Sequence, residues 1–84
     1  MTAWHWYDDA ACKGMDVELF YAQAPAATAQ ALRTCAACPV RRRCSEVAMA
    51  HREADGIWGG TLENHRRRIF RREDRARRRA ERAA

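Results

Sequence analysis

Residues 35–44 read CAACPVRRRC and hold three of the four cysteines of the chain, while 22 residues separate the fourth, Cys12, from Cys35. A C-x-x-C pair lets two thiolates approach one centre from a single turn, and Cys44 follows about one and a half helical turns later. Cys12 must fold back over the same centre. Four thiolates suit tetrahedral zinc as well as an iron–sulfur cluster, so the spacing predicts a metal or cluster site and leaves both open.

The composition explains why such a site is needed. The chain has 84 residues, of which 18 are alanine and only 10 are Leu, Ile, Val or Phe, and its formal net charge is +5. This length allows one small domain and excludes a multi-domain enzyme. A core this poor in large aliphatic side chains needs a metal, disulfides or a partner to stabilise it.

The expected compartment follows from the hydropathy pattern. No stretch approaches the roughly 20 apolar residues that span a bilayer, and the first residues, MTAWHWYDDAAC, lack the basic and apolar regions of a secretory signal. We expect a cytoplasmic protein without a membrane partner. In a reducing compartment, clustered cysteines are more often metal ligands or redox groups than structural disulfides.

The periodicity predicts an all-α fold with four helices. Asp16 can N-cap a short helix that carries Phe20, and Pro25 can open a second helix that runs toward Cys35. A third helix takes Pro39 into its first turn and places Cys44 on its apolar face.

A glycine-rich turn, DGIWGG at residues 55–60, separates these helices from the basic end of the chain. Its glycines Gly56, Gly59 and Gly60 predict positive φ angles. Thr61 is the expected N-cap of a long fourth helix. Trp58 lies between the glycines, where little can pack around its side chain, and we expect it to contact a partner.

Charge is unevenly distributed along the sequence. Residues 1–40 carry a net charge of −2, and residues 61–84 carry +6. We therefore predict a site domain at 1–60 and an arginine-rich helix at 61–84 that contacts DNA phosphates with low sequence specificity, rather than a merely solvated helix. The candidate DNA contacts are Arg66, Arg67, Arg68, Arg71, Arg72, Arg75, Arg77, Arg78 and Arg79.

Catalysis is not expected, because the chain shows no paired base and nucleophile and no length for a small-molecule substrate pocket. Two alternatives stay open from the residues alone. The first is a zinc-held DNA-binding module without a redox role. The second is a protein disulfide reductase that uses the Cys35 and Cys38 dithiol in the metal-free form.

The cysteine spacing together with Gly56-Ile57-Trp58-Gly59-Gly60 resembles the WhiB-like (Wbl) transcriptional regulators of actinobacteria and their phages, over about residues 4–72. The resemblance implies a small helical domain organised around one [4Fe-4S] cluster that responds to oxygen or nitric oxide. The implied cluster ligands are Cys12, Cys35, Cys38 and Cys44.

The resemblance also implies a protein partner, the C-terminal domain of the primary sigma factor of RNA polymerase. The contact residues carried over from the family are Trp6, Phe20, Tyr21 and Trp58. The chain departs from the family at one point, since its aromatic pair is Phe20-Tyr21 followed by alanine where the family often has Phe-Phe followed by proline.

Overall fold

The computed structural model describes residues 5–84, so the first four residues of the predicted site domain lie outside the described range. Three α-helices follow two short 3₁₀ helices at Trp6–Asp9 and Val17–Phe20: α1 (Pro25–Ala36), α2 (Arg41–Ala50) and α3 (Glu63–Ala83). Within the described range, β structure is limited to one isolated bridge between Trp58 and Thr61. The all-α class is confirmed.

The expected first helix is a single 3₁₀ turn. Asp16 does cap it, because its Oδ1 accepts a hydrogen bond from the Glu18 backbone N–H at 3.0 Å. The turn cannot continue, since Gln23 has a φ of 60° and Pro25 disfavours helical geometry in the residue before it. The count of four helices is therefore corrected to three α-helices with this 3₁₀ turn ahead of them.

Two helix starts also differ from the prediction, while Pro25 opens α1 as expected. α2 begins at Arg41, so Pro39 belongs to the turn before it. The N-cap of α3 is Leu62 and not Thr61. Thr61 is engaged elsewhere, because its Oγ1 donates to the Trp58 carbonyl at 2.6 Å.

The hydrophobic core is small and contains a cysteine. Phe20, Ala31 and Cys35 form its buried cluster, and Cys12 and Ile57 are among the half-buried residues packed against it. A core of this size agrees with the low aliphatic content of the sequence. The cysteine region is consequently the centre of the fold rather than an addition to its surface.

The long helix α3 is attached at its N-terminal half and projects at its C-terminal half. The Arg52 guanidinium lies 4.7 Å from the centre of the Phe70 ring and makes ion pairs with Glu73 and Asp74 at 3.2 and 2.9 Å. From Arg75 onward every residue is exposed. The radius of gyration is 15.4 Å, against about 12 Å for a compact chain of this length. None of the described helices is long and apolar enough to cross a membrane.

Candidate metal centre and nucleic-acid interface

The four cysteines line one cavity of about 330 Å³. Cys35 is buried, the other three are half-buried, and all four are free thiols. Within residues 5–84, no three His, Cys, Asp or Glu side chains are grouped closely enough to hold one metal ion. The cavity volume falls at the lower end of the range for small-molecule and cofactor sites. Its four sulfur donors and its size fit a cluster of several atoms better than a single ion.

Burial favours the protonated form of three thiols of this cavity, Cys12, Cys35 and Cys44. It raises the pKa of Cys12 and Cys35, and it raises the pKa of Cys44 to about 11. The backbone N–H groups of Gly60 beside Cys35 and of Gly59 beside Cys44 act in the opposite direction and lower the pKa, because they favour the thiolate. A cofactor that binds thiolates must therefore displace protons from this site.

The glycine-rich turn packs directly on α2, the helix that carries Cys44. Gly56, Gly59 and Gly60 have φ angles of 81°, 55° and 80°, which confirms the predicted positive values. A Cβ atom on Gly59 would lie 2.7 Å from the Ser45 backbone nitrogen and 2.9 Å from the Ser45 Cβ. The absence of a side chain at this position allows the close approach that brings the Gly59 N–H to Cys44.

Aromatic side chains surround the same cavity. Trp6, Tyr21 and Trp58 line it, with Tyr21 exposed and the two tryptophans half-buried. Phe20 differs from its predicted role as a partner contact, because only 9% of it is exposed and it packs in the core with Ala31. The 3₁₀ turn directs Phe20 inward, toward α1. Little of its surface is left for a partner, so the aromatic surface consists of Trp6, Tyr21 and Trp58.

Arg66 is not a DNA contact in this structure. Its side chain is fully buried, and its guanidinium donates to the backbone carbonyls of Glu53 at 2.8 Å, Asp55 at 2.9 Å and Thr61 at 2.6 Å, and also to that of Gly56. The sequence prediction treated the arginines of the tail as one class and did not separate this buried residue from the exposed ones. The i, i+4 spacing of Arg66 with the buried Phe70 was the available signal that both lie on the inner face of α3.

The remaining arginines of α3 divide into two groups by partner. Arg67 makes ion pairs with Asp55 and Glu63, and Arg77 makes one with Asp74 at 3.1 Å. The side chains of a second group are exposed and make no ion pair or hydrogen bond with any residue in the described range. It comprises Arg68, Arg71, Arg72, Arg75, Arg78, Arg79 and Arg82.

These seven unpaired arginines form one face of α3, which we call the basic face. At 100° per residue they lie within an arc of about 120°, opposite Arg66 and Phe70. The four acidic residues of the helix lie on the inner side. The basic face is therefore a row of guanidinium groups, free of carboxylates, along a helix about 31 Å long.

The sequence matches a known protein family. The family model for the transcription factor WhiB matches residues 6–69, more than half of the chain. The chain belongs to the WhiB family. The matched segment contains the four cysteines, the aromatic residues of the cavity and the glycine-rich turn, whereas most of the basic face lies beyond it.

Curated WhiB relatives show the same extent of similarity. The transcriptional regulator WhiB2 of Mycobacterium tuberculosis is 44% identical over 66 residues, covering 79% of this chain and 74% of the relative. The transcriptional regulator WhiB of Streptomyces coelicolor is 42% identical over 64 residues, covering 76% and 74%. WhiB2 of Bifidobacterium longum is 43% identical over 72 residues, covering 86% and 72%.

Proposed function

We propose that this WhiB-family chain is a transcriptional regulator that binds one [4Fe-4S] cluster, docks on the C-terminal domain of the primary sigma factor and contacts promoter DNA. Residues 1–60 carry the cluster and the docking surface, and residues 61–84 carry the DNA contact. Such a regulator works in the cytoplasm, where RNA polymerase and DNA are found. The single observation on which the proposal rests most is that Cys12, Cys35, Cys38 and Cys44 line one cavity.

The chain's own residues prepare that cavity for thiolate ligands. The Gly59 and Gly60 N–H groups stabilise negative charge on two of the sulfurs, and the Ala11 N–H lies 3.5 Å from the Cys38 Sγ. Hydrogen bonds to ligand sulfurs and burial are the main ways in which a protein tunes the potential and reactivity of an iron–sulfur centre. When bound, the cluster would supply the chemistry that reacts with oxygen or nitric oxide.

The docking surface is supported by exposure of aromatic groups next to the cavity. Trp6, Tyr21 and Trp58 are partly or fully exposed in a chain with few other large apolar side chains. Aromatic side chains of this kind are the usual anchors of protein interfaces. Since these aromatic side chains line the same cavity as the cysteines, a structural change at the cluster would alter their positions on the docking surface.

The DNA contact is supported by the basic face. Arginine binds phosphate bidentately, and a run of unpaired guanidinium groups provides affinity that depends steeply on salt. Such contacts position a protein on DNA without reading its sequence. The sigma factor would therefore supply most of the promoter specificity.

The structure disfavours the two alternatives. A single tetrahedral zinc ion needs its ligands close around one point, and the cysteine-lined cavity of about 330 Å³ is larger than such a site requires. A disulfide reductase needs an accessible cysteine with a lowered pKa. Cys35 is only 6% exposed, and burial raises its pKa.

The deciding experiment is metal and sulfide analysis of protein purified without oxygen. We expect close to four iron and four sulfide per chain and a brown sample, and we expect Cys38→Ser to lose both. Ser45→Ala, a change beside Cys44 that removes no sulfur, is the matched control and should retain them. A colourless protein with one zinc would overturn the cluster proposal, and insulin reduction that depends on Cys35 would establish the reductase instead.

A further inference from the structure

Arg66 binds the segment 53–61 with every nitrogen of its guanidinium. Nε donates to the Glu53 carbonyl, Nη1 donates to the carbonyl and the Oγ1 of Thr61, and Nη2 donates to the carbonyls of Asp55 and Gly56. No carboxylate is among these acceptors. A buried charge without an ion-pair partner is costly, so full use of its donors is what makes this burial possible.

These acceptors lie on both sides of Trp58. The carbonyls of Asp55 and Gly56 precede it, and Thr61 follows it and is joined to it by two backbone hydrogen bonds. One planar group therefore holds both ends of the glycine-rich turn. Glycine reaches positive φ without steric cost but loses more conformational freedom on folding than other residues, so the turn at Gly56 and Gly60 depends on contacts outside the glycines to hold it.

Trp58 itself is connected to this network at two points. Its indole N–H donates to the Asp55 carbonyl at 3.0 Å, and its own carbonyl accepts from the Thr61 Oγ1 at 2.6 Å. Arg66 donates to both the Asp55 carbonyl and the Thr61 Oγ1. The orientation of the indole is thus set by acceptors that Arg66 also holds.

The same turn reaches the cysteines on its other side. Gly59 lines the cysteine cavity and packs on Ser45, the residue after Cys44, and a Cβ on Gly60 would lie 3.7 Å from the Cys35 Cβ. Any shift of the turn would therefore alter the sulfur environment.

We propose that Arg66 is a positioning residue that fixes the glycine-rich turn, so that Trp58 is presented to the partner while Gly59 and Gly60 face the cysteines. Fixing the turn requires the planar guanidinium with its several N–H donors, and a positive charge alone is not enough. A lysine ammonium is a point charge that cannot reach acceptors on both sides of the turn. The consequence for cluster and partner rests on the proposed function, whereas the hold on the turn is a property of the chain.

The test is backbone hydrogen exchange at the turn in wild type, Arg66→Lys and Arg33→Lys, each purified without oxygen and analysed for iron and sulfide. The probes are the N–H groups of Gly56, Ile57, Trp58 and Thr61, which all donate hydrogen bonds. We expect exchange at least tenfold faster in Arg66→Lys with helix content unchanged. The control Arg33→Lys, an exposed change on α1, should match wild type. Wild-type exchange in Arg66→Lys would overturn the inference.

A second variant, Thr61→Val, tests the proposal if Arg66→Lys loses its helix content. Thr61→Val removes the hydroxyl that links Arg66 to Trp58 and leaves the arginine in place. Exchange at Trp58 several-fold faster than in wild type would support the proposal, and no change would refute it. Wild-type protein that lacks iron would refute the cluster proposal alone, since the exchange comparison requires no cofactor.

Discussion

The indole N–H of Trp58 and the guanidinium of Arg66 donate to the same acceptor, the backbone carbonyl of Asp55, at 3.0 and 2.9 Å. The residue predicted to contact a protein partner and a residue predicted to contact DNA are therefore parts of one hydrogen-bonded unit. The turn and the first turns of α3 behave as a single structural element, and the proposed DNA contact begins only at Arg68.

Replacing Trp58 with alanine should weaken binding of the sigma-factor C-terminal domain by about 30-fold, the effect of losing a central aromatic anchor worth about 2 kcal/mol. Iron and sulfide content should not change, because Trp58 supplies no ligand. Titration calorimetry or biolayer interferometry measures the affinity. Leu62→Ala, which truncates a 42% exposed apolar side chain away from the cavity, is the control and should bind as wild type. Equal affinity for Trp58→Ala would contradict the docking surface.

Binding of the basic face to DNA should be strongly salt-dependent. Seven phosphate contacts predict a slope of about −6 for log K against log salt concentration. Changing Arg75, Arg78 and Arg79 to glutamine should reduce the slope by about 3, measured by fluorescence anisotropy on duplexes of unrelated sequence. Arg77→Gln is the matched control, because Arg77 is paired with Asp74 on the other side of the helix. If Arg77→Gln lowered the slope as much per residue, the division into two faces would be wrong.

Alanine at three glycines should destabilise the protein to different degrees. Gly14 has a φ of 87° but open space around a Cβ, so Gly14→Ala should cost about 1–2 kcal/mol for left-handed geometry alone. At Gly59 the Cβ would also collide with Ser45, adding about 1–3 kcal/mol. Gly60, whose Cβ neighbours lie at 3.7 Å, should resemble Gly14. Thermal melting by circular dichroism ranks the variants, and equal melting temperatures for Gly14→Ala and Gly59→Ala would count against the close packing of the turn on α2.

Loss of the cofactor should lower the melting temperature markedly. A ligand present at 100 times its Kd stabilises a folded chain by about 2.7 kcal/mol, which corresponds to about 10–20 °C for a domain of this size. Melting curves before and after treatment with a nitric oxide donor measure the effect. Cys12→Ser, which removes one ligand, should melt at the lower temperature with or without the donor. Identical curves before and after treatment would show that the cofactor does not stabilise the fold.

The reduced, metal-free chain should lose stability as the pH rises above about 9. Burial raises the pKa of Cys44 to about 11, whereas an unfolded thiol keeps its ordinary value near 9.0. Between these values the folded chain binds more protons than the unfolded chain, so the free energy of unfolding falls with increasing pH. Urea denaturation at pH 8, 9.5 and 10.5 measures this fall, and Cys44→Ser should flatten it. Unchanged midpoints in the wild type would contradict the burial of this thiol.

Local signals in the sequence were sufficient to predict much of the fold. The Asp16 cap, the start of α1 at Pro25 and the positive φ of the three turn glycines each depend on a residue and its immediate neighbours. That the four cysteines meet at one cavity was also predictable, because ligand spacing restricts which side chains can meet, while their role as ligands stays a prediction. The family model confirms the resemblance that the cysteines and the glycine-rich turn had indicated.

The parts that could not be predicted depend on which partner a side chain meets once the chain is folded. Thr61 has the chemistry of an N-cap, but its hydroxyl bonds to Trp58, so Leu62 takes that position. Phe20 is buried because α1 packs against its turn. In the sequence Arg66 is indistinguishable from the neighbouring arginines, and only the folded structure shows that backbone carbonyls of residues 53–61 surround its guanidinium. In each case a contact made in the folded chain outweighed the position that the residue type alone would favour.

The exposed end of α3 has an evolutionary consequence. Nothing in the described part of the chain packs on residues 75–83, so substitutions, insertions or deletions there carry no folding penalty beyond helix propensity. If the basic face binds DNA as proposed, natural selection can adjust the strength of that binding by adding or removing arginines one at a time, while the cysteine cavity and the Arg66 network stay constrained. Divergence among related regulators should accumulate at this end of the chain and spare the other.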